Sequence, residues 1–468
     1  MTSATAPVRP LLPVAVDAMR EPVLEGETRP LAWRLAQLER LEALLEAAAM
    51  PLQEALAADL GKPPMEASFE RVAIRQELRL TRRGLRRWMA PRAVGLPPWV
   101  RPASASLQAE PLGCVLIIGP WNYPFQLCLH PLVSALAAGN SAVLKPSEHA
   151  PRTAALIAEL VAAHFPPEIV QVVCGDGSVA AELLQERFDH IFFTGGGRVG
   201  RLVLAAAAPH LTPVTLELGG KSPAIVLEGA DLAVSARRLA WGKSINAGQT
   251  CIAPDHLLVT PELREPLVAA IAAEWQRFHG EDPLRSPHLG RIVNRAQFER
   301  LEGLLEGARR RGQVLAGGRS DAETGRIEPT LLAVSDADSD PLMQEELFGP
   351  LLPVISVPDL TAALRLVRRG AKPLALYLFG GDRRARRQLL ETTSSGSVVF
   401  NDVIVQAGLA ELPFGGVGES GMGTYHGEAG FRTFSHERSV LSRPFWLDLP
   451  FRYPPYTMSL KLVERLLG

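Results

Sequence analysis

The chain has 468 residues, 47% of them hydrophobic and 21% charged, which suits a globular protein and excludes intrinsic disorder. At roughly 100–200 residues per domain, that length corresponds to about two or three domains. Its 49 basic and 50 acidic residues give a net charge of −1, so nothing in the balance marks a nucleic-acid or anionic-membrane partner.

No apolar run approaches the ~18 residues of a spanning helix. The four cysteines (Cys114, Cys128, Cys174 and Cys251) contain no CxxC pair and form no disulfide framework. Their simplest reading is as small buried hydrophobes in a reducing compartment. The ten histidines show no HExxH and no cysteine at metal-ligand spacing, so no metal site is expected. The stretch Met1–Arg20 is rich in Ala and Pro and has no acid before Asp17, as in a transit segment. Pro7, Pro10 and Pro13 would break an amphipathic helix there, and a cytoplasmic location is expected. Only six of the 49 basic residues are lysines (Lys62, Lys145, Lys221, Lys243, Lys372 and Lys461). Where arginine serves as the generic cation, a lysine marks a place needing a compact ammonium.

In chain order, the first ~100 residues read as helix. Leucines recur at three and four from Leu31 to Leu45, and a second apolar-periodic run spans Val72 to Met89. Val115–Ile118 then reads as a strand, Leu127–Ala138 as a helix, Ser141–Leu144 as a strand, and Pro151 to about Ala163 as a helix. Val170–Cys174 is a strand, Ala180–Glu186 a helix and His190–Thr194 a strand opening into glycines, with a helix over Arg201–Ala208. This alternation indicates βαβ units and a doubly wound sheet. A second series follows, with strands at Val214–Leu218, Ala224–Leu227, His256–Val259, Leu352–Val357 and Ala375–Phe379. Its helices are Asp231–Asn246 (Asp231 as N-cap), Pro266–Phe278, Gln297–Gly307 and Leu364–Arg369. The last ~70 residues are Gly/Pro-rich and irregular, which leaves extended pieces for pairing between chains.

Five segments carry chemistry. Gly195, Gly196, Gly197, Arg198, Val199 and Gly200 follow a strand and open a helix, where backbone N–H groups can approach a phosphate. The spacing departs from GxGxxG, and a structural turn stays open. Cys251 lies behind a polar Gly-Gln-Thr approach, unlike the other three cysteines, which suits a reactive thiol better than a core position. Glu217 ends an otherwise apolar strand; it is either a desolvated general base or the partner of Lys221. Lys145 and Glu148, three apart at a strand end, could hold the two hydroxyls of a ribose or form a surface ion pair. Asn122, between Pro120 and Pro124, is a preorganised donor to an oxyanion or a turn residue.

Together, PWNYP, LKPSE, FTGxxxVG, LELGGKSP, NAGQTC, QEELFGP (344–350) and PFGGVGESGMGTYHG (413–427) resemble the aldehyde dehydrogenase superfamily. Trp121-Asn122-Tyr123, the run through Asn401 to Ile404, Tyr425-His426-Gly427 and Arg452-Tyr-Pro-Pro are similar to its class 3 branch of fatty, benzylic and coniferyl aldehyde dehydrogenases. The resemblance runs from about Thr28 to Tyr456. It implies an α/β fold with a Rossmann-like doubly wound cofactor domain, a second α/β catalytic domain and a small extended oligomerisation arm. The corresponding bounds are 1–101 with 113–216 for the dinucleotide-binding domain, 217–400 for the thiol domain, and 102–112 with 401–468 for bridging segments.

By the same resemblance, Cys251 is the nucleophile that forms a thiohemiacetal and then a thioester. Asn122 and the Cys251 backbone N–H form the oxyanion hole, and Glu217 activates the hydrolytic water. Lys145 and Glu148 match adenine-ribose contacts, residues 195–200 the pyrophosphate loop, and Glu346 with Phe348 the nicotinamide ribose. The implied cofactor is NAD, with NADP possible in this branch. Glu148 favours NAD because a carboxylate repels a 2′-phosphate. The implied substrate is an apolar aliphatic or aromatic aldehyde, the product its acid, and the assembly a homodimer with neither a membrane anchor nor a nucleic-acid partner. Two departures stand out. Gly196-Gly197 replace the family's usual Ser-Thr, which predicts weaker cofactor binding, and Gln406 stands where class 3 relatives usually have His, on the substrate side. The alternatives are a cofactor-independent thiol esterase using Cys251 and Glu217, a non-catalytic relative, and a CoA-acylating enzyme. Glu217 as a water-activating base speaks against the last.

Overall fold

Short apolar runs bounded by glycine, proline or aspartate become buried parallel strands in this chain. The computed structural model describes residues 15–449, 452–456 and 458–467; the expectation for the Ala/Pro-rich start falls mostly on Met1–Val14, outside that range. Four helices open the described chain (Val16–Leu24, Leu31–Ala47, Pro51–Leu60 and Pro64–Met89). The last two begin on prolines, whose missing N–H costs nothing at a helix start. The apolar faces of the second, third and fourth helices, including Leu38, Leu41, Leu45, Ile74 and Leu78, share one core with the helix Gln126–Ala138.

Six strands form the first sheet, in spatial order Gly421–Met422, Val214–Glu217, His190–Thr194, Cys114–Ile118, Ser141–Lys145 and Val170–Val172. All neighbours are parallel except the first pair. The chain starts in the middle at Cys114–Ile118, works outward through two strands, then crosses back to His190–Thr194. Strand order therefore reverses between Cys114–Ile118 and His190–Thr194, and the crevice at the carboxyl ends of such a pair is where α/β sheets bind ligands. The edge strand Gly421–Met422 comes from the segment expected to serve only as arm.

A second sheet has seven strands, in the order Val314–Ala316, Thr330–Val334, Leu351–Ser356, His256–Val259, Pro223–Val226, Ala375–Phe379 and Ser397–Phe400. Only its first pair is antiparallel. A third, antiparallel sheet joins Arg92–Val94, Ser104–Pro111 and Ser435–Ser442, so the C-terminal region is less irregular than its composition implies.

Cap chemistry moved several helix starts, among them those at Asn294, which begins Arg295–Arg310, and at Asp359, which begins Leu360–Arg369. Asp176 accepts from the Ser178 N–H and starts a helix at Gly177–Leu183, three residues before the expected Ala180. Gly196 serves as N-cap, so the next helix is Gly197–Ala207 and begins inside the glycine loop. Asp231 caps Leu232–Ser244 by accepting from the Val234 N–H, as its position implies.

Candidate active site

The crevice at the strand reversal opens into a cavity of about 890 Å³. Asn122, Gly195, Gly196, Gly197, Arg198, Glu217, Cys251, Glu346 and Phe348 all line it. Of the other expected site residues, Lys145, Glu148, Val199 and Gly200 do not. Lys145 ends its strand beside Ile118 and donates to Glu148 Oε2 at 2.8 Å. Gly200 is a packing position, since a Cβ there would sit 2.9 Å from the Leu218 side chain.

Cys251 follows a chain segment held in an unusual conformation. Asn246, Ala247 and Gly248 have φ of 51°, 52° and 72°, a left-handed run that costs non-glycine residues roughly 1–2 kcal/mol each. Side chains over-determine it. Gln249, fully buried, donates to the carbonyls of Asn246 (2.9 Å) and Arg291 (3.0 Å) and accepts from the Val293 N–H (3.0 Å). Glu66 accepts from the Asn246 N–H at 2.9 Å, and burial pushes its carboxyl up to about 7. Behind the thiol, the Tyr377 hydroxyl donates to the Ile252 carbonyl at 2.5 Å. Cys251 itself is partly buried. Burial, then the charges of Glu346 and Glu217, push its thiol up to about 12, so it needs a base to ionise.

Glu217 ends its strand with both carboxylate oxygens buried and without a hydrogen-bond partner. Burial raises its carboxyl well above the usual range, which makes it a strong base once ionised. The pairing with Lys221 left open above does not form. Lys221 donates instead to Asp255 Oδ2 (2.5 Å) and to the carbonyls of Leu342 (3.0 Å) and Glu345 (2.8 Å). Burial alone would push Asp255 up, but the Lys221 ammonium holds its carboxyl well below the ordinary value. Glu217 also ties the phosphate loop to the sheet, its backbone carbonyl accepting from the Gly195 N–H at 3.0 Å.

Glu346 lies against Gly219, where a Cβ would come 2.1 Å from its Oε2, so only glycine admits it. Burial, then the Asp255 charge, push its carboxyl up to about 8. Phe348 has φ of 47°, a conformation rare for a bulky side chain, and its ring meets Trp121 edge-on at 5.3 Å.

Asn122 is nearly fully buried and donates one amide N–H to the Gln249 carbonyl at 3.1 Å. Its backbone carbonyl accepts from Lys62 Nζ (2.8 Å) and Asn246 Nδ2 (2.9 Å). Gln406 does not line the cavity; it donates to the Tyr377 hydroxyl (3.3 Å) and to Ser397 Oγ (3.2 Å). Its link toward Cys251 runs through Tyr377, whose hydroxyl donates to the Ile252 carbonyl. Lys62, Glu66, Asn246, Gln249 and Tyr377 were not among the expected site residues. For Lys62 the signal was the scarcity of lysine, and Asn246 and Gln249 lie inside the NAGQTC motif; Glu66 and Tyr377 stood in no motif.

Comparison with known proteins identifies the family. The Aldehyde dehydrogenase family matches residues 12–440. The chain is 47% identical over 440 residues to aldehyde dehydrogenase family 3 member B1 of Homo sapiens, covering 93% of each. It is 43% identical over 443 residues to "Aldehyde dehydrogenase, dimeric NADP-preferring" of Canis lupus familiaris, covering 94% of this chain and 97% of that one. In structure it is similar to AldH of Staphylococcus aureus in a substrate-bound state, with a TM-score of 0.92 and 38% identity over 97% of this chain and 98% of that chain. The chain belongs to the aldehyde dehydrogenase family and is an NAD(P)-dependent oxidoreductase acting on the aldehyde group.

Proposed function

We propose that this chain oxidises apolar aliphatic or aromatic aldehydes to carboxylic acids, with Cys251 as nucleophile, Asn122 as oxyanion donor and Glu217 as general base. The observation that carries this reading is the meeting of these three side chains in one cavity that continues to the uncapped helix start at Gly196–Gly197. Trp121, Leu127 and Phe348 give that cavity apolar walls suited to such a substrate.

Attack by the Cys251 thiolate on the carbonyl carbon converts the carbonyl oxygen to an alkoxide. Asn122 has one amide N–H engaged with Gln249, which leaves the other for that oxygen beside the Cys251 backbone N–H. A dinucleotide held in this cavity would supply the hydride acceptor, and loss of hydride from the Cys251 thiohemiacetal would leave a thioester on the sulfur. Glu217, with no hydrogen-bond partner of its own, takes a proton from the water that attacks the thioester, freeing the acid and the thiol.

The residues present fit the dinucleotide. Gly196 lacks a side-chain cap, an added Cβ there would meet no atom within 4 Å, and the first N–H groups of the following helix have no partner within it. Gly195–Arg198 would hold the pyrophosphate, Glu346 and Phe348 the nicotinamide ribose, and Lys145 and Glu148 the adenine ribose. Burial pushes the Glu148 carboxyl up, but the Lys145 hydrogen bond and charge, a backbone N–H and the neighbouring His149 together bring it below its ordinary value, and a charged carboxylate there favours NAD over a 2′-phosphorylated cofactor. Homodimer formation is supported by the outer edge of Ser435–Ser442, an eight-residue strand with exposed Val440 and Leu441. Four free cysteines support a reducing, cytoplasmic setting.

The test is an NADH-absorbance screen of aldehydes of varied chain length and aromaticity, with NAD and with NADP. Wild type should reduce the dinucleotide with apolar aldehydes and Cys251→Ala should not. Undiminished turnover in Cys251→Ala defeats the reading.

A further inference from the structure

Lys62 and Glu70 take no part in the chemistry above, yet both side chains are completely buried and paired at 2.6 Å. Lys62 begins the turn before the helix Pro64–Met89, which carries Glu70 on its second turn. A buried ion pair contributes little net stability over an apolar pair of similar volume, so its hydrogen bonds are the informative part. Every one of them goes to a single short segment. Besides Glu70 Oε1, Lys62 Nζ donates to the Asn122 backbone carbonyl at 2.8 Å, and it stands 3.9 Å from the centroid of the Tyr123 ring. Glu70 Oε2 accepts from the N–H groups of both Phe125 and Gln126 at 3.0 Å, anchoring the start of Gln126–Ala138. The Tyr123 hydroxyl in turn meets Thr250 Oγ1 at 2.7 Å, next to the nucleophile.

We propose that Lys62 and Glu70 are positioning residues for the oxyanion donor: together they fix the turn from Pro120 to Phe125 so that the free N–H of the Asn122 amide stays aimed at the developing alkoxide. The inference rests on the assignment of Asn122 as that donor. A lysine suits the task because an ammonium can donate at once to a carboxylate and a carbonyl in a closed pocket while sitting on a tyrosine face. Arginine, the usual cation of this chain, is larger and planar. Misplacing a donor by about 1 Å is enough to cost on the order of 10²-fold in rate.

The test is a double-mutant cycle between Lys62→Met and Asn122→Ala, reading kcat with a good aldehyde and the NADH dissociation constant by fluorescence. Lys62→Met should lower kcat about 10- to 100-fold while leaving NADH affinity within about twofold. On the Asn122→Ala background, the same change should cost less than about threefold, because the group it positions is gone. A general structural role would instead multiply with Asn122→Ala and weaken NADH binding alongside kcat; either result overturns the proposal. Where Lys62→Met does not fold, Glu70→Gln, which keeps side-chain volume, carries the same cycle with the same expectation. A wild-type kcat in Asn122→Ala removes the donor assignment and this inference with it. Full additivity on an impaired Asn122→Ala removes only this inference.

Discussion

Two loops leave the carboxyl ends of neighbouring parallel strands, and they are built in opposite ways. After Cys114–Ile118, the turn carrying Asn122 is held by Lys62, Asn246 and Gln249, with Glu70 gripping the residues that follow. After His190–Thr194, the loop Gly195–Gly197 has one tie to the sheet, the Gly195 N–H to the Glu217 carbonyl, and Gly196 faces open space. The contrast follows from when each loop's partner arrives. An oxyanion exists only in the transition state, so its donor must be aimed beforehand by the protein. A dinucleotide is a stable ligand that brings its own phosphate oxygens, so bare backbone at a helix start suffices.

Glu217 stands between the two loops, its backbone serving one and its carboxylate belonging with the other, and it offers the largest effect. Glu217→Gln should lower steady-state kcat about 10²- to 10⁴-fold, leaving a pre-steady-state burst of NADH because acylation outlasts the loss of the base. NADH affinity should not move; a matching loss there would mean the two loops are not separable. In wild type, the Glu217 carboxyl and the Cys251 thiol are both raised, and both must lose protons to act. Activity should therefore rise with pH through the neutral range into the alkaline one, and a rate profile that peaks in acid contradicts the assignment. Asn122→Ala comes next: kcat should fall about 10²- to 10³-fold with cofactor affinity unchanged. The smallest effect belongs to the open loop. Gly196 has the extended conformation of a serine N-cap (φ −76°, ψ 146°), so Gly196→Ser should fit without strain and restore a hydroxyl. NAD affinity, followed by titration, should tighten about three- to tenfold, roughly one hydrogen bond, with kcat unaltered.

What the sequence disclosed follows the same division. His190–Thr194, His256–Val259 and Ala375–Phe379 stand at the bounds read from the chain, because each is a wholly buried apolar run with a clear break at both ends. Ser104–Pro111 and Ser435–Ser442 were not read as strands. Their side chains are mostly polar and half-exposed, and they pair across more than three hundred residues, so no local period announces them. Asn122, Glu217 and Cys251 were legible because each lies in a motif whose neighbours serve the same site. Lys62 and Glu70 were not, because they act through backbone groups far along the chain. The sequence left Glu217 a choice of partners, and only the fold, by giving Lys221 to Asp255, leaves it alone.

The short strand Gly421–Met422 bears on what holds Glu217 in place. It lies antiparallel to the strand ending in Glu217, with Gly421 opposite Glu217 and the Leu218 N–H donating to the Ser420 carbonyl at 3.1 Å. Gly421 has φ of 145°, and a Cβ there would come 2.2 Å from the Leu216 carbonyl oxygen, so the approach tolerates no larger residue. The strand that bears the acid is therefore clamped by a stretch about two hundred residues further along the chain. The sheet border beside Glu217 depends on a segment far along the chain, and a break anywhere between the two would separate the acid from the strand that closes its edge.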